Sequence, residues 1–302
     1  MEKRYFTEVF KDPFNFDLTA ELDEIWKTMA AEILDENPVE REKRIAEYFK
    51  AVQEDLEVAK WRAQDEQFRF EERRYLVQYL RAGLWDIQAA LHVLRQYLAS
   101  CQLYPNIAKV SVPTLLEKVW SRKLIAATEY RDYYGRRIYF FRPGVWNPDE
   151  IPVNELFAAS YIMFEMLAQE EKTQIAGITM VCDLTGFGFK QLRNLGMEQV
   201  RCMTSFMSGA FPVWLRKIHV CNNPRLFGVL YSMMTPLLDD RVKGNIIFHG
   251  SNFTLLQEQI PSFLLPKSLG GGGELDDEAS VRILKEKNAY YEEIKDYTMK
   301  HT

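Results

Sequence analysis

The chain has 302 residues, of which 47% are hydrophobic and 13% aromatic, and it contains 38 Lys and Arg against 43 Asp and Glu. That length and apolar content predict one large or two modest globular domains with a sizeable core. The net charge of -5 argues against a nucleic-acid binder, because such proteins need a basic surface.

Targeting and redox signals favour the cytoplasm. Met1–Phe6 lacks the apolar segment of a secretory signal, and no apolar run approaches the ~20 residues that span a bilayer. The cysteines are scattered without CxxC spacing, which indicates reduced thiols. We therefore expect a cytoplasmic protein, and we predict no metal site and no cofactor. The cysteines are Cys101, Cys182, Cys202 and Cys221.

The first hundred residues predict an all-helical domain, because apolar residues recur at helical spacing and capping residues separate the segments. Thr19 and Asp86 are suitable N-caps, and Gly83 is a suitable left-handed residue after a helix. The predicted elements are an irregular arm over 1–18 and, within a domain over 19–104, a helix after Thr19, helices over Val39–Arg62 and Glu71–Arg81, and a fourth helix after Asp86.

After residue 104, short apolar and aromatic runs alternate with helical segments. Ile178–Cys182 and Ile218–Cys221 end at polar turn residues, as strands buried on both faces do. The segment between them has helical spacing, which predicts a crossover between parallel strands. The predicted elements are a linker over 105–113, strands over Arg137–Phe141, Ile178–Cys182, Ile218–Cys221 and Asn245–Phe248, and helices over Thr114–Trp120, from Asn154, and over Gln191–Ala210, Pro224–Leu238, Phe253–Ile260 and Asp277–Met299.

These strands and helices, following a helical layer, predict an α/β fold with an all-helical N-terminal domain. The second domain is predicted over 105–275, and a C-terminal amphipathic helix is predicted over 276–302.

No motif in the chain predicts catalysis. Gly186-Phe-Gly188 follows a strand as a dinucleotide fingerprint would, but Gln191 stands where a third small residue belongs. His219, in a predicted buried strand, is most simply a satisfied core residue, because no nucleophile stands in an elbow to pair with it. Gly270–Gly273 has no strand leading into it and is more typical of a turn than of a phosphate cradle. We therefore predict that the protein is not an enzyme.

The segment Pro224–Leu238 is apolar nearly all round, whereas a surface helix carries an apolar stripe about 100° wide. It is either a core helix or a mobile lid over a pocket that meets membrane when open. Basic residues near this segment would each contribute about 1 kcal/mol close to an anionic leaflet; scattered surface charge is the plainer explanation. They are Arg216, Lys217, Arg225, Arg241 and Lys243.

Several short motifs in register resemble the Sec14-like, CRAL-TRIO family of lipid-transfer proteins. Within that family the resemblance is closest to the branch of the α-tocopherol transfer protein, cellular retinaldehyde-binding protein and clavesin. The matching residues are Tyr79-Leu-Arg-Ala-Gly83 with Trp85-Asp86, Trp146-Asn-Pro148, Gly177–Gly186, Phe211-Pro212, Ile218-His219, Asn222-Asn-Pro224, Ser232-Met233 with Pro236-Leu-Leu238, Ile247-Phe-His-Gly250, and Leu264-Leu-Pro266 with Leu269-Gly-Gly271.

The resemblance implies a lipid-binding domain with a mostly parallel sheet as floor, helical walls, one buried hydrophobic ligand and a lid at Pro224–Leu238. It implies extraction and delivery of a lipid rather than catalysis. We expect Ser160, assisted by Tyr161 or by a water molecule, to orient the polar end of the ligand. The pocket positions are Phe157, Ser160, Tyr161, Phe164, Ile178, Cys182, Met203, Phe206, Met207, Val213, Leu215 and Ile218, and the lid positions are Phe227, Leu230, Tyr231 and Met233.

Two departures from the branch affect the expected ligand. The tocopherol protein has two serines one helical turn apart in its pocket, and here the second is replaced by Phe164. A retinoid or carotenoid therefore becomes as plausible as tocopherol. The branch also has a basic site for phosphoinositide headgroups, which this chain keeps only in part. Arg216, Lys217, Arg241 and Lys243 are the basic positions present, and Gly83, Trp214 and Asn245 replace basic residues.

We therefore predict a cytoplasmic, peripherally membrane-associated and monomeric carrier. Its partners are one hydrophobic tocopherol-, retinoid- or carotenoid-like molecule and a membrane surface, including phosphoinositides, and not nucleic acid. The alternative is a lipid-regulated adaptor or a phosphoinositide-sensing trafficking protein.

Overall fold

A computed structural model describes residues 2–18, 20–63, 69–209 and 211–300, apart from the side chains of residues 108 and 297–300. Its N-terminal part is a short strand followed by helices. The elements are β1 (Phe10–Lys11), α1 (Glu24–Leu34), α2 (Arg41–Glu54), α3 (Leu56–Arg62), α4 (Arg73–Ala82), α5 (Ile87–Leu103), α6 (Pro105–Ala108) and α7 (Glu117–Ser121).

The remainder alternates strands and helices. The elements are β2 (Ile125–Arg131), β3 (Arg137–Phe141), α8 (Val153–Ala168), α9 (Glu171–Ala176), β4 (Ile178–Asp183), α10 (Phe189–Leu192), α11 (Met197–Met207), β5 (Leu215–Cys221), α12 (Phe227–Met234), α13 (Asp240–Asn245), β6 (Ile246–Gly250), α14 (Thr254–Gln257), α15 (Glu278–Glu286) and α16 (Asn288–Lys300).

One sheet of six strands is formed over the described ranges, in the spatial order β1 to β6. The first three strands pair antiparallel, and β3, β4, β5 and β6 pair parallel. The predicted α/β class with a helical N-terminal region is therefore confirmed, as is the parallel crossover from β4 to β5. The prediction of four strands missed β1 and β2.

Several predicted helices were too long. Val39–Arg62 divides at Asp55, whose carboxylate accepts hydrogen bonds from the backbone of Glu57 and Val58 and so caps α3. Gln191–Ala210 divides before Gly196, which is the N-cap of α11. The last predicted helix divides at Lys287, which ends α15.

Smaller corrections concern the shorter segments. Residues 105–113 are not all linker, because they include α6, and Thr114–Trp120 is a 3-10 turn followed by α7. Phe253–Ile260 is helical only over α14. Thr19 and Ala210 lie outside the described residues, and Asp23 rather than Thr19 stands at the N-cap of α1.

The left-handed residues of the turn after α4 are not the one that was predicted. Gly83 has a φ of -89°, and the left-handed residues are Leu84 and Trp85, with φ of 53° and 60°. Gly83 is required for another reason, because a Cβ there would lie 2.5 Å from the backbone nitrogen of Ala90. The predicted cap is confirmed: Asp86 accepts a hydrogen bond of 2.7 Å from the backbone of Ala89.

A buried ion cluster joins the N-terminal helices to α9. The guanidinium of Arg81, 1% exposed, donates to both carboxylate oxygens of Glu36 at 2.9 and 3.1 Å and to Glu171 at 2.8 Å. Its remaining terminal nitrogen donates to the side-chain oxygen of Gln174 at 2.9 Å. Buried charges persist only when paired in this way, so the cluster fixes how α4 meets α9.

The N-terminal arm lies along the edge of the sheet. Its Asp12 receives hydrogen bonds from Arg131 at 2.5 Å and from Lys172 at 2.8 Å. Arg131 and Arg137 also contact the buried carboxylate of Glu170. Two negative side chains thereby neutralise most of the positive charge buried beneath the arm.

Candidate functional site

An apolar cavity lies on one face of the sheet. Because side chains alternate across a strand, residues two apart form its floor. The floor includes Tyr139 and Phe141 from β3, Met180 and Cys182 from β4, and Ile218 and Val220 from β5.

An irregularity in β5 extends this floor. The pairing with β4 passes from Leu215 opposite Ile178 to Lys217 opposite Thr179, which leaves Arg216 as an extra residue. Such a bulge changes which face the following side chains reach. It allows Leu215 and Ile218 to line the cavity together, although they are three residues apart.

Three helices supply the walls and the roof of the cavity. The lining residues of each follow the i, i+3, i+4, i+7 spacing of one helix face. Those on α8 are Phe157, Ser160 and Phe164, those on α11 are Met203, Phe206 and Met207, and those on α12 include Phe227, Leu230, Tyr231 and Met234.

The cavity is large enough for a multi-atom ligand. The centre of a water-sized sphere can move through about 100 Å³ of it, and its total empty volume is about 1020 Å³ with the part open to solvent included. A single water needs only about 10–15 Å³ on the first measure. No Lys, Arg, Asp or Glu is among the described residues that line it, so the walls offer no charge to balance an ionic headgroup.

The main polar feature inside the cavity is a hydroxyl pair. The hydroxyl of Tyr139 donates to the Oγ atom of Ser160 at 3.3 Å. Burial raises the pKa of Tyr139, so its hydroxyl stays neutral and protonated. The pair can bond one small uncharged polar group of a ligand.

A sequence profile of the CRAL/TRIO domain matches residues 121–271, half of the chain. The chain belongs to the CRAL/TRIO domain family. The resemblance found in the motifs is thereby confirmed at family level. The matched residues include the strands and helices that form the cavity, from β3 to β6.

Relatives of this CRAL/TRIO protein include the human Alpha-tocopherol transfer protein-like, 29% identical over 203 residues, which are 67% of this chain and 59% of that protein. Xenopus laevis Clavesin-1 is 26% identical over 201 residues, 65% of this chain and 60% of that protein. The chain thus spans about three fifths of the length of the curated relatives it matches. A structure described as Sfh5 aligns with a TM-score of 0.42 and 12% identity, covering 90% of this chain and 100% of that chain.

The structure brings most of the predicted pocket residues of the CRAL/TRIO domain to the cavity. Tyr161, Ile178, Val213 and Met233 do not line it. The hydroxyl of Tyr161 lies 2.6 Å from that of Tyr97, on the side facing the N-terminal helices. The predicted residues that do line the cavity are Phe157, Ser160, Phe164, Cys182, Met203, Phe206, Met207, Leu215, Ile218, Phe227, Leu230 and Tyr231.

Other residues that line the cavity were not predicted from the sequence. Period-two alternation about Cys182 and Ile218 would have found Met180 and Val220, because side chains two apart share a face. The residues from loops and short helices had no such signal. The missed residues include Tyr139, Phe141, Trp146, Met180, Phe187, Leu195, Val220, Met234 and Ile246.

The roof helix is shorter than predicted and is not buried on all sides. Only Phe227–Met234 is α-helical, and a 3-10 turn over Thr235–Leu237 follows. Leu230 is 3% exposed on the inner face, whereas Val229 is 50% exposed on the outer face and Leu237 is 39% exposed. The helix is therefore not a fully buried core helix, since it has an apolar side chain facing solvent as well as apolar side chains facing the cavity.

A polar hub precedes the roof helix. Asn222 adopts a left-handed φ of 52°, and its amide donates to Asp183 at 3.1 Å and to the carbonyl oxygen of Ser268 at 2.9 Å. The hydroxyl of Ser268 donates to the other oxygen of Asp183 at 2.6 Å. Burial tends to raise the pKa of Asp183, but the hydrogen bonds from Ser268 and Thr185 outweigh it and lower that pKa. The hub fixes the direction in which the chain enters α12.

Two of the predicted headgroup residues lie together. Arg216 and Arg241 stack on the ring of Trp214, with their guanidinium carbons 4.4 and 4.2 Å from its centroid. Burial, together with the charge of Arg136, lowers the pKa of Arg216 to about 10, so it stays charged near neutral pH. The other two residues lie apart: Lys217 follows the bulge on the opposite face from Ile218, and Lys243 pairs with Asp240 at 3.0 Å.

Two histidines that are 30 positions apart in the sequence form a close pair. Nδ1 of His219 lies 2.8 Å from Nε2 of His249 on neighbouring strands. Burial, and then the charge of His249, lowers the pKa of His219 to about 3. Within the described residues, no group of three or more His, Cys, Asp or Glu is placed to hold a metal ion, and no helix is long and apolar enough to cross a membrane.

Proposed function

We propose that this CRAL/TRIO protein is a carrier that encloses one uncharged lipophilic molecule and transfers it to or from membranes. The observation that supports this most is the apolar cavity roofed by α12. Burial of ligand surface at about 25 cal/mol per Å² supplies the affinity. The pair of Tyr139 and Ser160 can form a hydrogen bond with an uncharged polar group of the ligand.

The ligand class is inferred from the cavity walls. A tocopherol-, retinoid- or carotenoid-like isoprenoid fits walls that are apolar and lack charged side chains. A phospholipid does not fit, because its phosphate would be buried without a cation. The name of the relative Alpha-tocopherol transfer protein-like supports the same class.

Membrane exchange would use the outer side of the roof. Val229 and Leu237 are exposed there, and an opened α12 would also present its inner face. Arg216 and Arg241 would attract anionic lipid headgroups, including phosphoinositides, at about 1 kcal/mol for each charge. The protein would thus act at the cytoplasmic face of a membrane as a peripheral, monomeric protein.

The test is to purify the chain from eukaryotic cells, extract it with organic solvent and identify any stoichiometric lipid by mass spectrometry. Transfer of that lipid between donor and acceptor liposomes is then measured. A stoichiometric isoprenoid that moves catalytically supports the carrier. A bound phospholipid contradicts the proposed ligand class. A lipid that stays bound, or failure to bind an isoprenoid panel, contradicts the carrier and favours a lipid-regulated adaptor.

A further inference from the structure

A second, smaller cavity adjoins the first. It lies where α5, α6, α8, α11 and α16 meet, and its lining includes Ser100, Cys101, Tyr161 and Lys295. Phe206 lines both cavities. One aromatic ring therefore stands between the apolar cavity and a more polar one.

The size of the second cavity suits one small group. The centre of a water-sized sphere can move through about 20 Å³ of it, against the roughly 10–15 Å³ that one water needs. A hydroxyl at the end of a chain is of this size. A carboxylate or a phosphate is larger.

Its polar atoms complement a hydroxyl. The hydroxyls of Ser100 and Ser205 lie 3.1 Å apart, so one donates to the other and the pair retains one O–H proton. The hydroxyls of Tyr161 and Tyr97 lie 2.6 Å apart. The Sγ atom of Cys101 lies 3.8 Å from the same oxygen. When the Tyr161 hydroxyl donates to one of these two partners and accepts from the other, one of its two lone pairs stays available. An alcohol group, which both donates and accepts, matches this set.

The side chain of Phe206 separates the two cavities, and a change of its rotamer would connect them. It lies in the last turn of α11, beside Met203 and Met207, whose flexible side chains adapt to a moved neighbour. Its ring centroid is 5.3 Å from that of Phe211 and 6.1 Å from that of Tyr104. A rotation about its side-chain bonds would join the two spaces.

We propose that the second cavity is a subsite for the terminal hydroxyl of a lipid alcohol whose hydrocarbon body fills the first cavity. This inference rests on the proposed function. It assigns Tyr161 as the acceptor and Ser100, which lines the cavity, as the donor, with the hydroxyl of Ser205 donating to Ser100. The ligand class narrows from uncharged lipids in general to isoprenoid or long-chain alcohols.

The test compares dihydrophytol with phytane, which share one carbon skeleton and differ by a single hydroxyl. Affinities are measured by displacement of a fluorescent fatty alcohol from wild type and from the variants Tyr161→Phe and Ser100→Ala. We expect each variant to bind dihydrophytol about 5–10-fold more weakly, the loss of one hydrogen bond. Phytane affinity should stay within about twofold, which also shows that the variants are folded.

Tyr75→Phe is the matched control, because the hydroxyl of Tyr75 lies 2.9 Å from that of Tyr290 and Tyr75 lines neither cavity; it should bind both lipids as wild type does. Ser160→Ala tests the competing position of the alcohol in the first cavity. If Ser160→Ala alone weakens dihydrophytol binding, the alcohol lies in the first cavity and the subsite is refuted. The subsite is also refuted if Tyr161→Phe and Ser100→Ala change neither lipid or weaken both equally. If wild type binds neither lipid, the proposed carriage of isoprenoids fails, and the subsite fails with it.

Discussion

The roof role of α12 can be tested with two neighbouring side chains. Leu230 is 3% exposed and lines the cavity, whereas the preceding Val229 is 50% exposed on the outer face. Leu230→Ala removes buried contacts from the closed state. Val229→Ala removes a similar amount of side chain from solvent. Both changes introduce a good helix former, so neither should weaken α12 itself.

The magnitude follows from the carbons that are lost. Leu230→Ala removes three carbons at about 0.8 kcal/mol each when fully buried, so the closed state loses about 2 kcal/mol. That energy corresponds to a roughly 30-fold larger fraction of open molecules. Val229→Ala removes two carbons that are half in solvent already. Its effect should stay below about 1 kcal/mol, or roughly fivefold.

The assay follows release of a preloaded fluorescent isoprenoid to an excess of neutral liposomes. We expect the release rate of Leu230→Ala to be roughly 10–30 times that of wild type, and that of Val229→Ala to be within fivefold of it. Thermal unfolding monitored by circular dichroism checks that both variants are folded. Equal release rates for the two variants would refute the roof assignment and make α12 an ordinary packing element.

Three further predictions concern the rest of the chain. Arg81→Met should lower the free energy of unfolding by about 3–5 kcal/mol in urea titration, because two buried glutamates lose their main partner; a change below 1 kcal/mol would contradict this. Arg216→Gln with Arg241→Gln should weaken binding to anionic but not neutral liposomes by roughly 10–30-fold, whereas Lys217→Gln should not. Because the pKa of His219 is about 3 in the fold, the unfolded state binds more protons below pH 6.5. The free energy of unfolding should therefore decrease as the pH drops from about 6.5 towards about 3, by up to about 1.4 kcal/mol per pH unit. A His219→Asn variant with an unchanged pH profile would disprove this.

The parallel strands were predictable because their burial on both faces leaves continuous apolar runs in the sequence. β2 lacks that signal, since Ala126, Ala127, Thr128 and Glu129 interrupt its apolar pattern. It is stabilised as a strand by pairing with β1 and β3. β1 has two residues and exists only through this pairing. Whether such segments form strands depends on tertiary contacts rather than on local propensity.

The positions at which the predicted helices divide carry capping residues, but the continuous helical spacing around them was given more weight in the prediction. Asp55 and Gly196 are both favourable N-cap residues, and each stands inside a run with continuous helical spacing. In each case the apolar spacing continued across the cap. Capping chemistry should therefore take precedence over periodicity when a window contains both.

Lining residues could be predicted for single helices and strands, but the cavity that these elements form together could not. The family resemblance implied Phe157, Ser160 and Phe164 as pocket positions, and all three line the cavity from one face of α8. The bulge at Arg216, which brings Leu215 to the floor, has no sequence signature. The second cavity draws on five helices that are distant in sequence, so no local pattern could indicate it.

Helix α8 links the cavity to the N-terminal helices. Successive residues on a helix point about 100° apart, so Ser160 faces the cavity while Tyr161 faces Tyr97. One turn later Phe164 faces the cavity, and Glu165 is buried with its pKa raised by that burial. Satisfied buried polar groups tolerate little displacement, because unmade hydrogen bonds are costly away from water. The polar side therefore fixes the rotation of α8, and with it the shape of the cavity wall.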